Sequence, residues 1–177
     1  MVPVVSGVHV VVISDTHLPR RAKDLPAPVW AAVEAADVVV HAGDWCDEAT
    51  VLALRARSRR LVGVAGNNDG ADVRAHLAET ATFTLEGLRF GVVHETGDKA
   101  GRERRCDTAW AGAVDVLLFG HSHIPWDSTT PRGVRLLNPG SPTDRRRQPT
   151  GTWLEFDVVD GTLGEVVLHR VPRAPQR

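Results

Sequence analysis

The chain has 177 residues, 42% of them hydrophobic, and a formal net charge of -1 at pH 7. This length and apolar content fit one domain of ordinary size, predicted here over residues 1–177. The near-neutral charge excludes the strongly basic field of a general nucleic-acid binder. Two cysteines are too few for a disulfide framework, so we expect free thiols and a cytoplasmic protein.

The apolar N-terminal segment has no basic leader and no small-residue cleavage site, so it predicts a first strand and not a signal peptide. No apolar run reaches the length of a bilayer span. At the other end, residues 171–177 contain two prolines and are predicted to form a flexible tail.

Strand-like and helix-like segments alternate along the first half of the chain. The predicted strands are Val8–Ser14, Asp37–His41, Leu61–Ala65, Thr82–Glu86, Phe90–His94, Val116–Phe119, Val134–Leu137, Trp153–Val159 and Gly164–His169. The predicted helices are Pro28–Ala36, Glu48–Arg57 with Asp47 as N-cap, Ala71–Glu79 and Glu103–Gly112. This order predicts an α/β layered domain, parallel in its early strands and more antiparallel later.

Polar residues follow the predicted strands at the points where they end. These residues are Asp15-Thr16-His17, Gly43-Asp44, Gly66-Asn67-Asn68-Asp69, His94, Gly120-His121-Ser122-His123 and Asn138-Pro139-Gly140-Ser141. Because the carboxyl ends of strands form the usual ligand crevice of α/β sheets, these side chains are predicted to converge. Imidazole, carboxylate and amide donors without thiolate favour Mn²⁺, Fe or Zn²⁺ in a reactive site over a structural zinc.

Five of these motifs, taken in order, resemble the calcineurin-like metallophosphoesterases, and in particular their small bacterial and archaeal phosphodiesterase branch. The motifs are Asp15-x-His17, Gly43-Asp44, Gly66-Asn67, His94 and Gly120-His121-x-His123. The turn at 138–141 matches the same branch, and the resemblance covers roughly residues 8–147. It implies a sandwich of two mixed β-sheets flanked by helices.

The resemblance also implies two divalent metal ions, with Mn²⁺ expected and Fe, Ni or Zn as alternatives. One ion would be held by four residues: Asp15, His17, Asp44 and His123. The second would be held by Asp44, Asn67, His94 and His121, so that Asp44 bridges the pair. Catalysis would then depend chiefly on Asp44, Asn67, His94 and His123. A hydroxide between the metals would attack the phosphorus of a small-molecule phosphate ester without a covalent intermediate.

Three functional interpretations remain open from the sequence. A phosphodiesterase is favoured; a phosphomonoesterase and a non-catalytic scaffold, as this fold forms in the retromer coat, are the alternatives. No membrane or nucleic-acid partner is indicated, and a homodimer is left open.

Two positions depart from many relatives. Glu95 follows His94, where glycine is common. In larger relatives a histidine stands at the position of Asn68 and acts as a general acid. The aspartate that pairs with that histidine corresponds in position to Asp47. The small branch commonly lacks that histidine.

Several other polar residues have two readings. Asp69 either orients a ligand or caps the helix after it, and the cap interpretation is favoured at least as strongly. Asn138 either supports the site or only forms its turn. The run Arg145–Arg147 is favoured as a solvated basic loop over a phosphate contact. His41 is expected to support the site at most, and three histidines are expected to lie outside it: His9, His76 and His169.

Overall fold

The computed structural model of the protein describes residues 7–172, which contain four helices and eleven strands. The helices are α1 (Ala27–Ala35), α2 (Glu48–Arg57), α3 (Ala71–Arg74) and α4 (Arg102–Trp110). The strands are β1 (Val8–Ile13), β2 (Val38–His41), β3 (Leu61–Gly63), β4 (Thr80–Leu85), β5 (Leu88–Val93), β6 (Val116–Leu118), β7 (Trp126–Thr129), β8 (Arg135–Asn138), β9 (Thr152–Val159), β10 (Thr162–Leu163) and β11 (Val167–Arg170).

The strands form two mixed sheets, which confirms the predicted architecture. The first sheet has the order β10-β9-β1-β2-β3, and β11 also pairs with β9. Its early strands β1, β2 and β3 are parallel, while β9 runs antiparallel to β1. The second sheet has the order β4-β5-β6-β8-β7, with a parallel centre and antiparallel strands at both edges.

The main apolar core lies between the two sheets, and a second core lies under the helices. Val10 and Val12 of β1 belong to the first core, whereas Val11 and Ile13 belong to the second. This division follows from the alternation of side chains along a strand. Both faces of β1 are therefore buried, as its continuous apolar run predicted.

A stack of aromatic rings joins the two sheets. Phe90 on β5 is fully buried, with its ring centroid 4.9 Å from that of Phe83 on β4 and 6.0 Å from that of Phe156 on β9. Since β5 and β9 belong to different sheets, this stack fixes how the sheets face one another.

Helix predictions were most accurate where a cap is encoded in the sequence. The bounds of α2 match the prediction, and Asp47 accepts a hydrogen bond of 2.9 Å from the backbone of Thr50. The prediction Ala71–Glu79 was too long, because α3 ends at Arg74 and the chain turns into β4. Ala78 is already bound to the first sheet there, since its carbonyl accepts a hydrogen bond of 2.8 Å from Ala65.

Two strand predictions needed correction. β7 was missed because Trp126–Thr129 is a half-exposed edge segment without an apolar run; only its pairing with β8 makes it a strand. The predicted strand Gly164–His169 begins three residues too early, because β11 covers Val167–Arg170. The short strand β10 before it was missed, and both strands pair with β9. The amide of Gly164 donates to the carbonyl of Asp157, and this contact separates the two strands.

The described part of the chain contains no helix long and apolar enough to cross a bilayer. Both cysteines are buried and unpaired, as expected. Of the predicted tail, Val171 donates a backbone hydrogen bond of 2.9 Å to Gly151, and residues 173–177 lie outside the described range.

The aromatic stack yields a stability prediction. Replacing Phe90 with alanine should lower the free energy of unfolding by about 3–5 kcal/mol, because it opens a cavity between the sheets. The matched control is Leu52→Ala, at a side chain that is 47% exposed, which should change stability by only about 0.5 kcal/mol. Urea titrations with a chelator present measure both; equal losses would contradict the role of the stack.

Candidate metal centre

The ends of strands from both sheets meet at one edge of the sandwich and bring together all seven predicted ligand residues. Backbone hydrogen bonds hold the connecting loops against each other. Asp15 donates to Gly43 at 2.9 Å, and Gly120 donates to His94 at 3.0 Å. A third bond joins the two sheets, from the amide of His121 to the carboxylate of Asp15 at 3.0 Å.

Three buried side chains form the first cluster: Asp15, His17 and His123. The Nε2 atoms of the two histidines lie 3.2 Å apart. The Nε2 atom of His123 lies 3.4 Å from Oδ1 of Asp15, and that of His17 lies 4.0 Å from the same oxygen. One cation between them could contact all three ligand atoms.

The second cluster contains Asp15, Asp44 and His94. The Nε2 atom of His94 lies 3.4 Å from Oδ1 of Asp44 and 3.9 Å from Oδ1 of Asp15. The other carboxylate oxygen of Asp44 lies 3.5 Å from Nε2 of His17. Asp44 therefore presents one oxygen to each cluster, while Asp15 belongs to both.

Asn67 and His121 extend the second cluster towards solvent. The side-chain oxygen of Asn67 lies 3.0 Å from Nε2 of His94 and 3.0 Å from Nδ1 of His121. Both residues are more open than the rest of the centre. They form the side of the cluster that a solute can reach.

The histidine tautomers explain why this arrangement fits a metal. Nδ1 of His94 lies 2.7 Å from the carbonyl oxygen of Ala42, and Nδ1 of His123 lies 2.6 Å from that of Asp144. A carbonyl oxygen only accepts, so each Nδ1 must donate, and each ring directs its Nε2 atom into the cluster. Although burial opposes it, the hydrogen bond to Asp44 and the charge of Asp15 raise the pKa of His94, so a cation at this Nε2 takes the place of a proton. Lone pairs that face carboxylates in a buried space need a cation between them.

Burial favours the uncharged forms of three of these groups. Burial lowers the pKa of His123 to about 4 and also lowers the pKa of His17. Burial raises the pKa of Asp15 to about 7, although attraction to His94 opposes this rise. Neutral imidazoles beside carboxylates are the forms that coordinate a divalent ion.

The backbone is strained where the ligands sit. Five of the seven predicted ligands have a positive φ: Asp15 at 54°, His17 at 46°, Asp44 at 62°, His121 at 71° and His123 at 57°. Residues other than glycine seldom adopt this conformation. Its concentration in one cluster is typical of a functional site held in place by the surrounding fold.

Two glycines are required because the loops pass so closely. A Cβ atom added to Gly120 would lie 2.1 Å from Oγ of Ser14 and 2.8 Å from Oδ2 of Asp15. One added to Gly66 would lie 2.2 Å from Oδ1 of Asp44. Neither position has room for a larger residue while both aspartates keep their places.

Asp69 organises the loops and does not cap α3, so the helix-cap interpretation was wrong. Gly70 occupies the N-cap position without a side-chain bond. The carboxylate of Asp69 instead accepts backbone hydrogen bonds from Asp44, Cys46 and Gly66, at 3.0, 2.8 and 2.7 Å. The bonds from Asp44 and Cys46 fix the loop after β2 against the loop after β3, and the bond from Gly66 lies within the second loop.

Sequence reasoning also missed the residues that orient the ligands. Asn68 binds both carboxylate oxygens of Asp44, through its backbone at 2.8 Å and its side chain at 2.7 Å. The Sγ atom of Cys46 lies 3.3 Å from Nδ1 of His17. Asn68 was signalled only by its place beside Asn67, and nothing in the sequence pointed to Cys46.

The other polar residues fall into two groups. His41 supports the loops, with Nε2 3.0 Å from the hydroxyl of Thr16 and its ring stacked on Trp45. The amide of Asn138 donates to the carbonyl of Gly120 at 2.9 Å, so Asn138 both supports the site and forms its own turn. The three remaining histidines, His9, His76 and His169, lie beside carboxylates outside the centre.

Comparisons with known proteins agree with this geometry. Residues 8–161 match the sequence profile of the calcineurin-like phosphoesterase superfamily domain. A probable metallophosphoesterase of Methanothermobacter thermautotrophicus is 38% identical over 150 residues, which cover 82% of this chain and 84% of that protein. A probable metallophosphoesterase of Methanocaldococcus jannaschii is 35% identical over 138 residues, which cover 75% of this chain and 67% of that protein.

Solved structures show the same fold. A Thermotoga maritima protein has a TM-score of 0.73 and 31% identity, with coverage of 92% of this chain and 98% of that one. Vps29 of Entamoeba histolytica, solved with Zn²⁺, has a TM-score of 0.72 and 24% identity, covering 92% and 98%. At that identity the likeness to Vps29 concerns the fold alone.

The close packing of the loops can be tested at Gly120. Gly120→Ala should weaken the binding of Mn²⁺ by at least about tenfold, because the added methyl group displaces Ser14 and Asp15. Isothermal titration calorimetry measures the affinity. The matched control is Gly112→Ala, whose glycine has a φ of 86° but nothing within 4 Å of the added atom; it should lose stability and keep its affinity. Unchanged affinity in Gly120→Ala would contradict the argument.

Proposed function

The chain belongs to the calcineurin-like phosphoesterase superfamily, and from that premise we propose that it is a phosphodiesterase dependent on two divalent metal ions, Mn²⁺ above all. One ion would be held by Asp15, His17, Asp44 and His123. The other would be held by Asp44, Asn67, His94 and His121. Ions in these positions would attract the substrate phosphate and generate hydroxide near neutral pH.

The observation that carries this proposal is the position of Asp44 between the two groups of ligands. Its two oxygens lie 3.5 Å from His17 and 3.4 Å from His94, which suits a carboxylate shared by two ions. Asn68 holds that carboxylate with two hydrogen bonds, one to each oxygen. Such support keeps a bridging ligand in place while substrate binds and product leaves.

An enzyme is favoured over a scaffold because every position of the ligand set is filled by a competent donor. A docking surface that binds no metal does not require the Nδ1 hydrogen bonds that orient the rings of His94 and His123. They do orient lone pairs towards an ion. The cytoplasmic location and the oligomeric state remain predictions.

A diester is favoured over a monoester by the charge at the mouth of the centre. Glu95 lies with its carboxylate 3.8 Å from Nε2 of His121, and its side chain is 55% exposed. A monoester dianion meets more repulsion from this carboxylate than a diester monoanion does. Glu95 is therefore proposed to shift the preference towards diesters.

The first functional prediction concerns metal content. The wild-type protein should take up two Mn²⁺ ions per chain, and Asp44→Ala should lose both, because one carboxylate serves both ions. Equilibrium dialysis followed by elemental analysis measures the content. Asp47→Ala is the matched control: this carboxylate caps α2, so its loss should cost about 1 kcal/mol of stability and no metal. Full occupancy in Asp44→Ala would refute the shared ligand.

The second functional prediction concerns the leaving group of the substrate. Asn68 stands where larger relatives would have an acid, its amide is bound to Asp44, and Asp47 is engaged as a helix cap. A positioned acid is typically worth ~100- to 10,000-fold in rate, so rates should fall steeply as the pKa of the leaving group rises.

The measurement is kcat/KM across a series of aryl and alkyl diesters. Nitrophenyl esters should react well and alkyl esters poorly in the wild-type protein. Asn68→His should gain only on the poor leaving groups, provided that it still binds metal. A shallow dependence in the wild type would show that another residue supplies the proton.

A further inference from the structure

A cavity of about 670 Å³ lies between the loop 142–151 and the residues Val171 and Pro172 that follow β11. Its volume is in the range of small-ligand sites. The lining residues that carry hydrogen-bond donors include Arg145, Arg147 and Thr150. These three residues define what is called here the arginine pocket.

The loop that forms the pocket is attached to the metal centre through consecutive residues. Oγ of Ser141 donates to the carbonyl of Asp15 at 2.7 Å, and Oγ1 of Thr143 donates to that of Thr16 at 2.6 Å. The carbonyl of Asp144 accepts the Nδ1 hydrogen bond of His123. Arg145 of the pocket therefore directly follows the residue whose carbonyl orients His123.

The loop is also held at its far end, which is unlike a loosely solvated basic loop. The amide of Gln148 donates to the carbonyl of Arg145 at 2.8 Å, and Nη1 of Arg145 donates to the carbonyl of Gln148 at 2.6 Å. Thr152 donates to Ser141 at 2.9 Å and closes the loop. The arginine side chains thus extend from a fixed backbone.

The charges of the pocket are not neutralised within the described range 7–172. Neither Arg145 nor Arg147 forms an ion pair there, since Asp144, the carboxylate beside them, lies near Arg21 and His123. The Oγ1 atom of Thr150 is buried and has no hydrogen-bond partner in the same range. Two exposed guanidinium groups without a carboxylate partner are donors that suit a phosphate group, and the Thr150 hydroxyl lies buried beside them.

We propose that the arginine pocket binds a phosphate group on the non-leaving arm of the substrate, separate from the phosphorus that reacts. Glu95 lies at the His121 side of the centre and the arginines at the His123 side, so the anionic arm is directed to the arginines. The identity of the occupant as a substrate arm rests on the proposed phosphodiesterase function. The binding of phosphate itself does not.

The first experiment tests binding without metal or catalysis. Chelator-treated, ¹⁵N-labelled protein is titrated with inorganic pyrophosphate, and backbone amide shifts are followed. The shifts should concentrate in residues 143–151, and Arg145→Gln/Arg147→Gln should weaken binding about tenfold or more, because charged hydrogen bonds are lost. The matched control is Arg55→Gln/Arg104→Gln, two exposed arginines elsewhere, which should bind as the wild type. Equal affinity in both double variants would overturn the pocket.

The second experiment tests the occupant with the Mn²⁺-loaded protein. It compares thymidine 5′-(4-nitrophenyl phosphate) with the same ester carrying a 3′-phosphate, so that the reacting group is unchanged. The 3′-phosphate should raise kcat/KM about tenfold in the wild type and the control, and have no effect in Arg145→Gln/Arg147→Gln. Equal kcat/KM for the two esters in the wild type would overturn the substrate arm. Failure to hydrolyse either ester would contradict the proposed function, while the pyrophosphate titration would still decide the pocket.

Discussion

The structure depends on holding two buried carboxylates and several imidazole lone pairs within a few ångströms of one another. Asp15 and Asp44 are almost fully buried, and neither belongs to an Arg or Lys ion pair among the described residues. Without a cation, such a cluster can be relieved only by retaining protons, as the raised pKa of Asp15 indicates. The loops at this edge of the sandwich are arranged so that they hold the two carboxylates and the imidazoles close together.

The surrounding loops meet the requirement through backbone strain and tight approach. Ligand residues take left-handed conformations, and Gly66 and Gly120 remove the side chains that would push the aspartates apart. Asp69 joins two loops through two backbone hydrogen bonds. The sheets supply the rigid frame, since the aromatic stack around Phe90 sets the spacing between the two halves of the site.

Charge is distributed unevenly around the centre. A carboxylate, Glu95, stands beside His121 on one side, and the arginine pocket lies beyond His123 on the other. This asymmetry gives a bound ester a preferred direction, because an anionic arm is repelled at one end and attracted at the other. Solved structures of other proteins share the fold, so we expect selectivity to depend on the residues at those two ends.

The sequence by itself determined the local features that carry the function. Ordered motifs at strand ends identified seven side chains that the fold brings together, and the Asp47 cap located α2, because these signals depend only on neighbouring residues. Tertiary structure decided the rest. The edge strand β7 exists only through its pairing with β8. The sequence left Asp69 between a helix cap and a ligand-orienting role, because two of its three backbone donors lie on the loop after β2. The contacts of Asn68 and Cys46, and the cavity beside Arg145, arise between segments distant in sequence, which no local pattern can specify.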